Sequence, residues 1–377
     1  MHPQTHAIHA GRTAFADATG AIATPIVLST TFEHSADVAE HQGWLYQRYG
    51  DPNAQALEQT LCALEGGTDA LHCATGLAAA SLLLQSLPEH SHVLLADDCY
   101  FGVRAILEEC AARFGLTWSR VDMSDLDAVR TAWQPQTRCL WLESPSNPLL
   151  KISDIEALAT LARERGALSV VDATFATPLL LPTLGLGADV ALHSCTKYLG
   201  GHSDVMGGAL VFGGSEHARQ LATRARQLRK LLGCTASPFS SWLVQRGVMT
   251  LACRMEVHQR NAQILAEFLT SHSRVEAVYY PGLPDHPQHA LARRQMRGFG
   301  GMLSFLVRGD RSRTIAVAAA LKLITNATSL GAVESLIEHR QSTEGPHSTT
   351  APNLLRLSVG LEHVDDLRAD LAQALAV

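Results

Sequence analysis

Between about residue 45 and residue 235, short apolar runs alternate with stretches of helical period. The runs are Ala70–Cys73, Val93–Ala96, Cys139–Leu142, Leu168–Val171, Val190–His193 and Ala209–Phe212. They are rich in Val and Leu and show little polar alternation, the pattern of strands buried on both faces of a mostly parallel sheet. Helical segments lie between them, such as Ile155 to Arg165, which stops at Gly166. The alternation predicts an α/β architecture with helices on both faces of the sheet. Residues 1–44 form an arm rich in Thr, Ala and Pro without a strong period. Beyond about Ser237 the pattern changes: Pro238 to Thr270 reads as one long amphipathic helix, followed by short strands near Val275–Tyr280, Met302–Val307 and Leu354–Val359. The expected organisation is thus an arm (1–44), a large α/β domain (45–235) and a smaller α+β domain (236–377).

Composition narrows the class of protein. The 377 residues are 46% hydrophobic and 18% charged, as in a globular chain with a large core. The net charge of −6 and the lack of a basic run or basic-aromatic stripe argue against a nucleic-acid partner. No apolar stretch approaches a membrane span, and the first residues lack a signal-peptide pattern, so a cytoplasmic location is expected. The eight cysteines form no CxxC pair and read as small buried residues. His2, His6 and His9 have helical ligand spacing, but nothing nearby completes a ligand set, and no metal is expected.

The candidate chemistry centres on Lys197, in His193-Ser-Cys-Thr-Lys197-Tyr-Leu-Gly-Gly201. Alone, a lysine at a strand end is an ordinary surface residue. Here Ser194 and Thr196 can donate to a phosphate, Gly200 and Gly201 can let the backbone approach a ligand, and the preceding apolar run ends in Asp172. A strand ending in Asp, followed by one ending in Ser-x-Thr-Lys, suits pyridoxal phosphate (PLP): the lysine condenses with the aldehyde, and the acid keeps the pyridine nitrogen protonated. Thr75-Gly76-Leu77 opens a helix after another strand, where the amides of Gly76 and Leu77 would face an anion; the plain alternative is a strand-to-helix turn. Tyr100 follows a third strand and can stack on the ring or simply pack. Asn147, in Glu143-Ser-Pro-Ser-Asn147-Pro148, can hydrogen-bond the cofactor's phenolic oxygen or merely sit in a proline-flanked turn. Arg356 is a lone charge in an apolar strand; it fits a clamp on an amino acid's α-carboxylate, with a structural ion pair as the alternative.

Taken in order and at their separations, Glu143-Ser-Pro-Ser-Asn-Pro148, Val171-Asp-Ala-Thr-Phe175 and His193-Ser-Cys-Thr-Lys-Tyr198 resemble the Cys/Met-metabolism family of PLP enzymes. That family includes cystathionine γ-synthase, the cystathionine and methionine lyases and the O-acylhomoserine sulfhydrylases, and the likeness runs from Thr5 to Glu362. It implies a fold-type I, aminotransferase-like subunit in a homotetramer built from two dimers, acting on small amino-acid substrates. Tyr46 and Arg48 would reach the neighbour's phosphate, while Gly76, Leu77, Ser194 and Thr196 bind it within the subunit. Tyr100 would stack and carry protons, Asn147 and Asp172 would hold the ring, and Arg356 would take the substrate carboxylate. Ser329, in Ser329-Leu-Gly-Ala-Val-Glu334-Ser335, would help seat Lys197 and substrate, and Glu334 would face the substrate's distal part.

The chain departs from the family at three places. Gly50-Asp51-Pro52-Asn53 stands where Gly-Asn-Pro-Thr is usual, and Phe101 replaces the glycine after the stacking tyrosine, which narrows the entrance. The segment His339-Arg-Gln-Ser-Thr-Glu-Gly-Pro346 replaces the usual loop beside the substrate channel. The resemblance implies γ-replacement or γ-elimination in transsulfuration, as in a γ-synthase or γ-lyase, with a sulfhydrylase or β-lyase as the alternative. A PLP-binding oligomer without turnover is the alternative of another class.

Overall fold

The computed structural model describes residues 1–12, 20–34, 43–345 and 348–377. Seven strands form the larger sheet: β1 (Asp69–Cys73), β2 (His92–Ala96), β3 (Thr117–Val121), β4 (Thr137–Glu143), β5 (Leu168–Asp172), β6 (Val190–His193) and β7 (Gly208–Phe212). Their order is β1-β7-β6-β5-β4-β2-β3, and β7 alone runs antiparallel to its neighbours. Every residue of β2, β5, β6 and β7 is buried, because helices cover both faces. The β3 strand has no apolar run to reveal it. It sits at the sheet edge, pairs only with β2, and carries the part-exposed sequence Thr-Trp-Ser-Arg-Val.

This topology gathers the chemistry on one edge. The carboxyl ends of β1, β2, β4, β5 and β6 lead into Thr75-Gly76, Tyr100, Asn147, Asp172 and Lys197 respectively. In the parallel register Glu143 lies opposite Asp172, and Asp172 opposite Leu192. Ligands of open α/β sheets bind at this edge.

The smaller sheet is made of β8 (Val275–Tyr279), β9 (Met302–Val307), β10 (Thr325–Asn326), β11 (Leu336–His339) and β12 (Leu354–Ser358), in the order β10-β11-β12-β9-β8. It packs around its own core of residues such as Leu265, Phe305, Ile337 and Leu371. Arg356 sits in the buried middle of β12, opposite Glu338 of β11.

The single helix expected over Pro238–Thr270 is two helices, Pro238–Met249 and Leu251–Ser271, which meet at Thr250. The break has a local cause. The carbonyl of Gly247, which would accept the next helical bond, accepts instead from the Thr250 amide at 3.2 Å and from Arg254 Nη2 at 2.6 Å. Arg254 Nη1 donates to the Tyr198 carbonyl at 2.7 Å, so the junction braces the turn that carries Lys197. Gly201 (φ 77°) serves this brace, since a Cβ there would lie 2.2 Å from Arg254 Nη1. Gly200 likewise packs against protein, with Val205 and the Cys195 carbonyl in the space a side chain would fill. Both glycines admit neighbouring protein, where the sequence suggested room for a ligand.

The Gly50-Asp51-Pro52-Asn53 departure is locally satisfied. Asp51 caps helix Pro52–Glu65 by accepting from the Ala54 amide at 2.9 Å. Asn53 pins the arm, accepting from the Val27 amide at 2.9 Å and donating to the Pro25 carbonyl at 2.8 Å.

Candidate active site

A cavity of about 560 Å³ opens at the carboxyl edge of the large sheet. Of the residues singled out in the sequence, Gly76, Leu77, Tyr100, Asn147, Asp172, Ser194, Thr196, Lys197, Ser329 and Arg356 all line it. They come from five strand ends of one sheet and two segments of the other, which is why no short motif contains them.

At one end lies helix Gly76–Ser86, capped by Thr75, whose hydroxyl accepts from the Ala78 amide at 2.9 Å. The amides of Gly76 and Leu77 precede that bond, and among the described residues they have no protein acceptor. Gly76 lies hard against Ser194: a Cβ would sit 3.0 Å from Ser194 Cβ and 3.1 Å from its Oγ. Two free amides at a helix start, with the Ser194 and Thr196 hydroxyls beside them, form a donor set suited to a phosphate.

Next along the cavity is Asp172, which accepts from the Thr174 amide at 3.0 Å. Thr174 Oγ1 in turn accepts from the Ser194 amide at 2.8 Å, linking this carboxylate to the phosphate-like end. Burial raises the Asp172 carboxyl above its ordinary range, opposed by hydrogen bonds from Thr174. A buried acid of this kind is stabilised by a cation placed against it, as a protonated pyridine nitrogen would be. Glu143, beside it in register, is raised well above its ordinary range by burial and by the Asp172 charge. It accepts from the Tyr100 amide at 2.7 Å and so fixes the start of helix Phe101–Cys110. The Tyr100 phenol is half-buried and raised by that burial, so it holds its proton at neutral pH.

Lys197 points into the cavity, and its Nζ donates to Ser329 Oγ at 2.8 Å. Burial, with the nearby Arg356 charge, lowers its amine to about 8. Arg356 uses Nη1 to reach Asn147 Oδ1 at 2.9 Å, and Nη2 to reach the Ser329 carbonyl at 3.2 Å and Glu338 Oε2 at 2.6 Å. The donor set, the buried acid, the lowered amine and the volume together fit pyridoxal phosphate.

Three sequence candidates lie outside this cavity. Tyr46 and Arg48 sit on another surface, where Arg48 Nη1 donates to the Lys230 carbonyl at 2.8 Å and its guanidinium lies 5.5 Å from the Tyr46 ring. Glu334 lines an adjoining cavity that shares Thr196, Met206, Thr328 and Ser329 with the first, and it accepts a hydrogen bond from Ser203.

Sequence reasoning missed Glu338 and Arg340, which both line the main cavity. The signal was a pair of charges flanking His339 at the end of an apolar strand. The unusual segment forms the end of β11 and a short helix, Arg340–Glu344; its last residue, Pro346, lies outside the described residues. Phe101 lines the cavity, with the Arg340 guanidinium 5.7 Å over its ring.

Among the described residues no His/Cys/Asp/Glu group could hold a metal, and no helix is long and apolar enough to cross a membrane. The family described as Cys/Met metabolism PLP-dependent enzyme matches residues 4–376. A cystathionine gamma-synthase of Mycobacterium tuberculosis is 45% identical over 99% of the chain and 96% of its own length. A cystathionine gamma-lyase of Dictyostelium discoideum is 42% identical over 98% of the chain and 97% of its own. A cystathionine beta-lyase of Coxiella burnetii is 43% identical over 99% and 98%. The solved structure of metB from Corynebacterium glutamicum superimposes with a TM-score of 0.95 at 40% identity, covering all of this chain and 98% of that one.

Proposed function

The chain belongs to the Cys/Met-metabolism family of PLP-dependent enzymes, and we propose that it catalyses γ-replacement on an O-acylhomoserine, joining it to a thiol such as cysteine. The γ-synthase relative at 45% identity favours replacement, and the observation that carries the first step, α-proton removal, is the double use of Ser329. Its hydroxyl takes the Lys197 amine, and its carbonyl takes Arg356, which leaves the base beside the α-carbon of an amino acid whose carboxylate Arg356 holds.

Pyridoxal phosphate, when bound, supplies the electron sink that acidifies the carbons of an attached amino acid. Gly76, Leu77, Ser194 and Thr196 would hold its phosphate, Asp172 and Asn147 would hold its ring, and Tyr100 would stack on it. Arg356 binds the α-carboxylate as a charge-assisted pair. Lys197, with an amine near 8, is unprotonated in a useful fraction at neutral pH. It removes the α-proton and then moves a proton at the β-carbon. Tyr100, which keeps its phenolic proton, delivers it to the departing γ-substituent. A thiol then adds at the γ-carbon. Glu334, in the adjoining cavity, serves the distal part of the substrate.

Tyr46 and Arg48 belong to a neighbouring subunit's phosphate site in a homotetramer. Their exposed position away from their own cavity, close to Tyr49 and Lys230, supports this. The arm, residues 1–44, of which 13–19 and 35–42 lie outside the described residues, is assigned to contact that neighbour, with 45–235 carrying the cofactor and 236–377 the substrate side. Eight unpaired cysteines suit the cytoplasm.

Elimination to an oxo acid and ammonia is the second reading, favoured by the gamma-lyase relative at nearly the same identity. Both reactions share their early proton transfers and part over barrier differences of which about 1.4 kcal/mol is a tenfold ratio. Mass spectrometry of PLP-loaded protein given O-succinylhomoserine and cysteine separates them. Cystathionine is expected; 2-oxobutyrate as the main product assigns elimination. With neither, turnover of O-acetylhomoserine plus sulfide would assign a sulfhydrylase, homocysteine released from cystathionine a β-lyase, and no turnover of any of these a PLP-binding oligomer.

A further inference from the structure

One carboxylate oxygen joins the two arginines of the cavity. Glu338 Oε2 accepts from Arg356 Nη2 at 2.6 Å and from Arg340 Nη1 at 2.7 Å. All three side chains are buried, Arg340 to 2% exposure. Arg340 Nη2 continues to Glu344 Oε1 at 2.9 Å. The other Glu344 oxygen accepts from the Ser348 and Thr350 hydroxyls at 2.6 and 2.7 Å, so that acid is hydrogen-bonded on both oxygens by groups other than Arg356.

The order of charges from the cavity outward matters. Arg356 needs a net positive charge to take an α-carboxylate, yet Glu338 lies against it and would cancel that charge in a poorly solvated site. Arg340 supplies the missing counter-charge to Glu338. Without it, Glu338 would rely on Arg356 alone and would face the incoming carboxylate as a competitor. Stacking of the Arg340 guanidinium on Phe101, beside Tyr100, holds the counter-charge in place.

We propose that Arg340 is a positioning residue for substrate recognition: by occupying Glu338 it leaves Arg356 free to bind the amino acid's carboxylate. The inference rests on the reading of Arg356 as the carboxylate clamp, and the test separates the two.

Holoenzyme is titrated with glycine, which carries amine and carboxylate, and with methylamine, which carries only the amine, following the visible absorbance of the bound cofactor. Arg340→Met is expected to weaken glycine binding by about tenfold or more and to leave methylamine within about twofold, a split that a general loosening of the site would not give. Arg340→Lys, which keeps the charge, and Glu338→Gln with Arg340→Met, which removes the competitor, are both expected within about threefold of wild type. Glycine binding within about threefold of wild type in Arg340→Met overturns the proposal, as does failure of the double variant to recover. Should Arg340→Met not fold, Glu338→Gln decides: equal or tighter glycine binding supports the proposal, and an approximately tenfold loss overturns it. In Arg356→Met the preference for glycine over methylamine should vanish; if it persists, the clamp reading itself fails, whatever Arg340 does.

Discussion

Ser329 meets Lys197 from a strained backbone: its φ is 88°, and its hydroxyl accepts from Lys197 Nζ at 2.8 Å. A side chain in this region costs on the order of 1–3 kcal/mol and persists only where the surroundings impose it. Here the same residue also gives its carbonyl to Arg356, so the strain holds base and clamp together. Ser329→Gly should relieve the backbone and lose the hydroxyl, whereas Ser329→Ala should lose the hydroxyl and keep the strain. Thermal unfolding should therefore find the glycine variant more stable than the alanine variant by about 1 kcal/mol. Steady-state kinetics should find kcat reduced in both by a similar factor. Equal stability of the two would mean that the conformation is not strained.

The Lys197 amine makes a pH prediction for the cofactor-free protein. Burial first, then the Arg356 and Arg340 charges, bring it from 10.5 to about 8 against the opposing pull of Glu338. Only the unprotonated amine can attack an aldehyde. Uptake of pyridoxal phosphate, followed by absorbance, should rise about tenfold per pH unit below pH 8 and level off above it. Between about 8 and 10.5 the unfolded chain keeps a proton that the folded one has released, so the stability of the cofactor-free protein should increase with pH across that window. Glu338→Gln removes a charge that holds the proton on and should move the plateau to lower pH. Uptake that still climbs at pH 10 would contradict the lowered amine.

Asp172 is buried and accepts from the Thr174 amide, a bond that an asparagine oxygen can keep. Asp172→Asn should therefore fold normally and bind cofactor, but it removes the charge that stabilises a pyridinium. Turnover should fall by about 10²-fold or more with the circular dichroism unchanged. Unaltered kcat would show that ring protonation does not depend on this residue.

The readable parts of the site were those where an apolar run ends abruptly in a functional residue. Asp172 and Lys197 stand out because β5 and β6 are buried along their whole length and leave no other reason for a charge there. The β3 strand was hidden because an edge strand exposes one side and needs no apolar run. The break at Thr250 was invisible because it depends on Arg254 reaching back for the Gly247 carbonyl, a side-chain choice that helical periodicity does not encode. Glu338 and Arg340 were missed for a related reason. Either charge alone looks like a solvated loop residue, and their meaning comes from Arg356, a cross-strand neighbour of Glu338 18 residues away in sequence.

Lys197 lines the cavity at the sheet edge, and Arg48 of the same subunit lies outside it. The Arg48 guanidinium lies 5.5 and 5.2 Å from the Tyr46 and Tyr49 rings and donates to the Lys230 carbonyl; neither Tyr46 nor Arg48 lines the cavity of Lys197. If Arg48 serves the phosphate of a neighbouring subunit, Arg48→Ala and Lys197→Ala damage opposite halves of each active site. Lys197→Ala alone should be inactive, and Arg48→Ala should be weak at low cofactor concentration. When the two are unfolded together and refolded at equal amounts, half of the subunit pairs should be mixed. Each mixed pair carries one site with both defects and one site with neither. Activity at low cofactor should then recover to roughly a quarter of wild type, the value set by twofold symmetry and random pairing. Recovery requires mixing before assembly, so combining the two variants after folding gives the control. Activity no greater than the average of the separate variants would place the role of Arg48 within its own subunit's surface and remove the shared site.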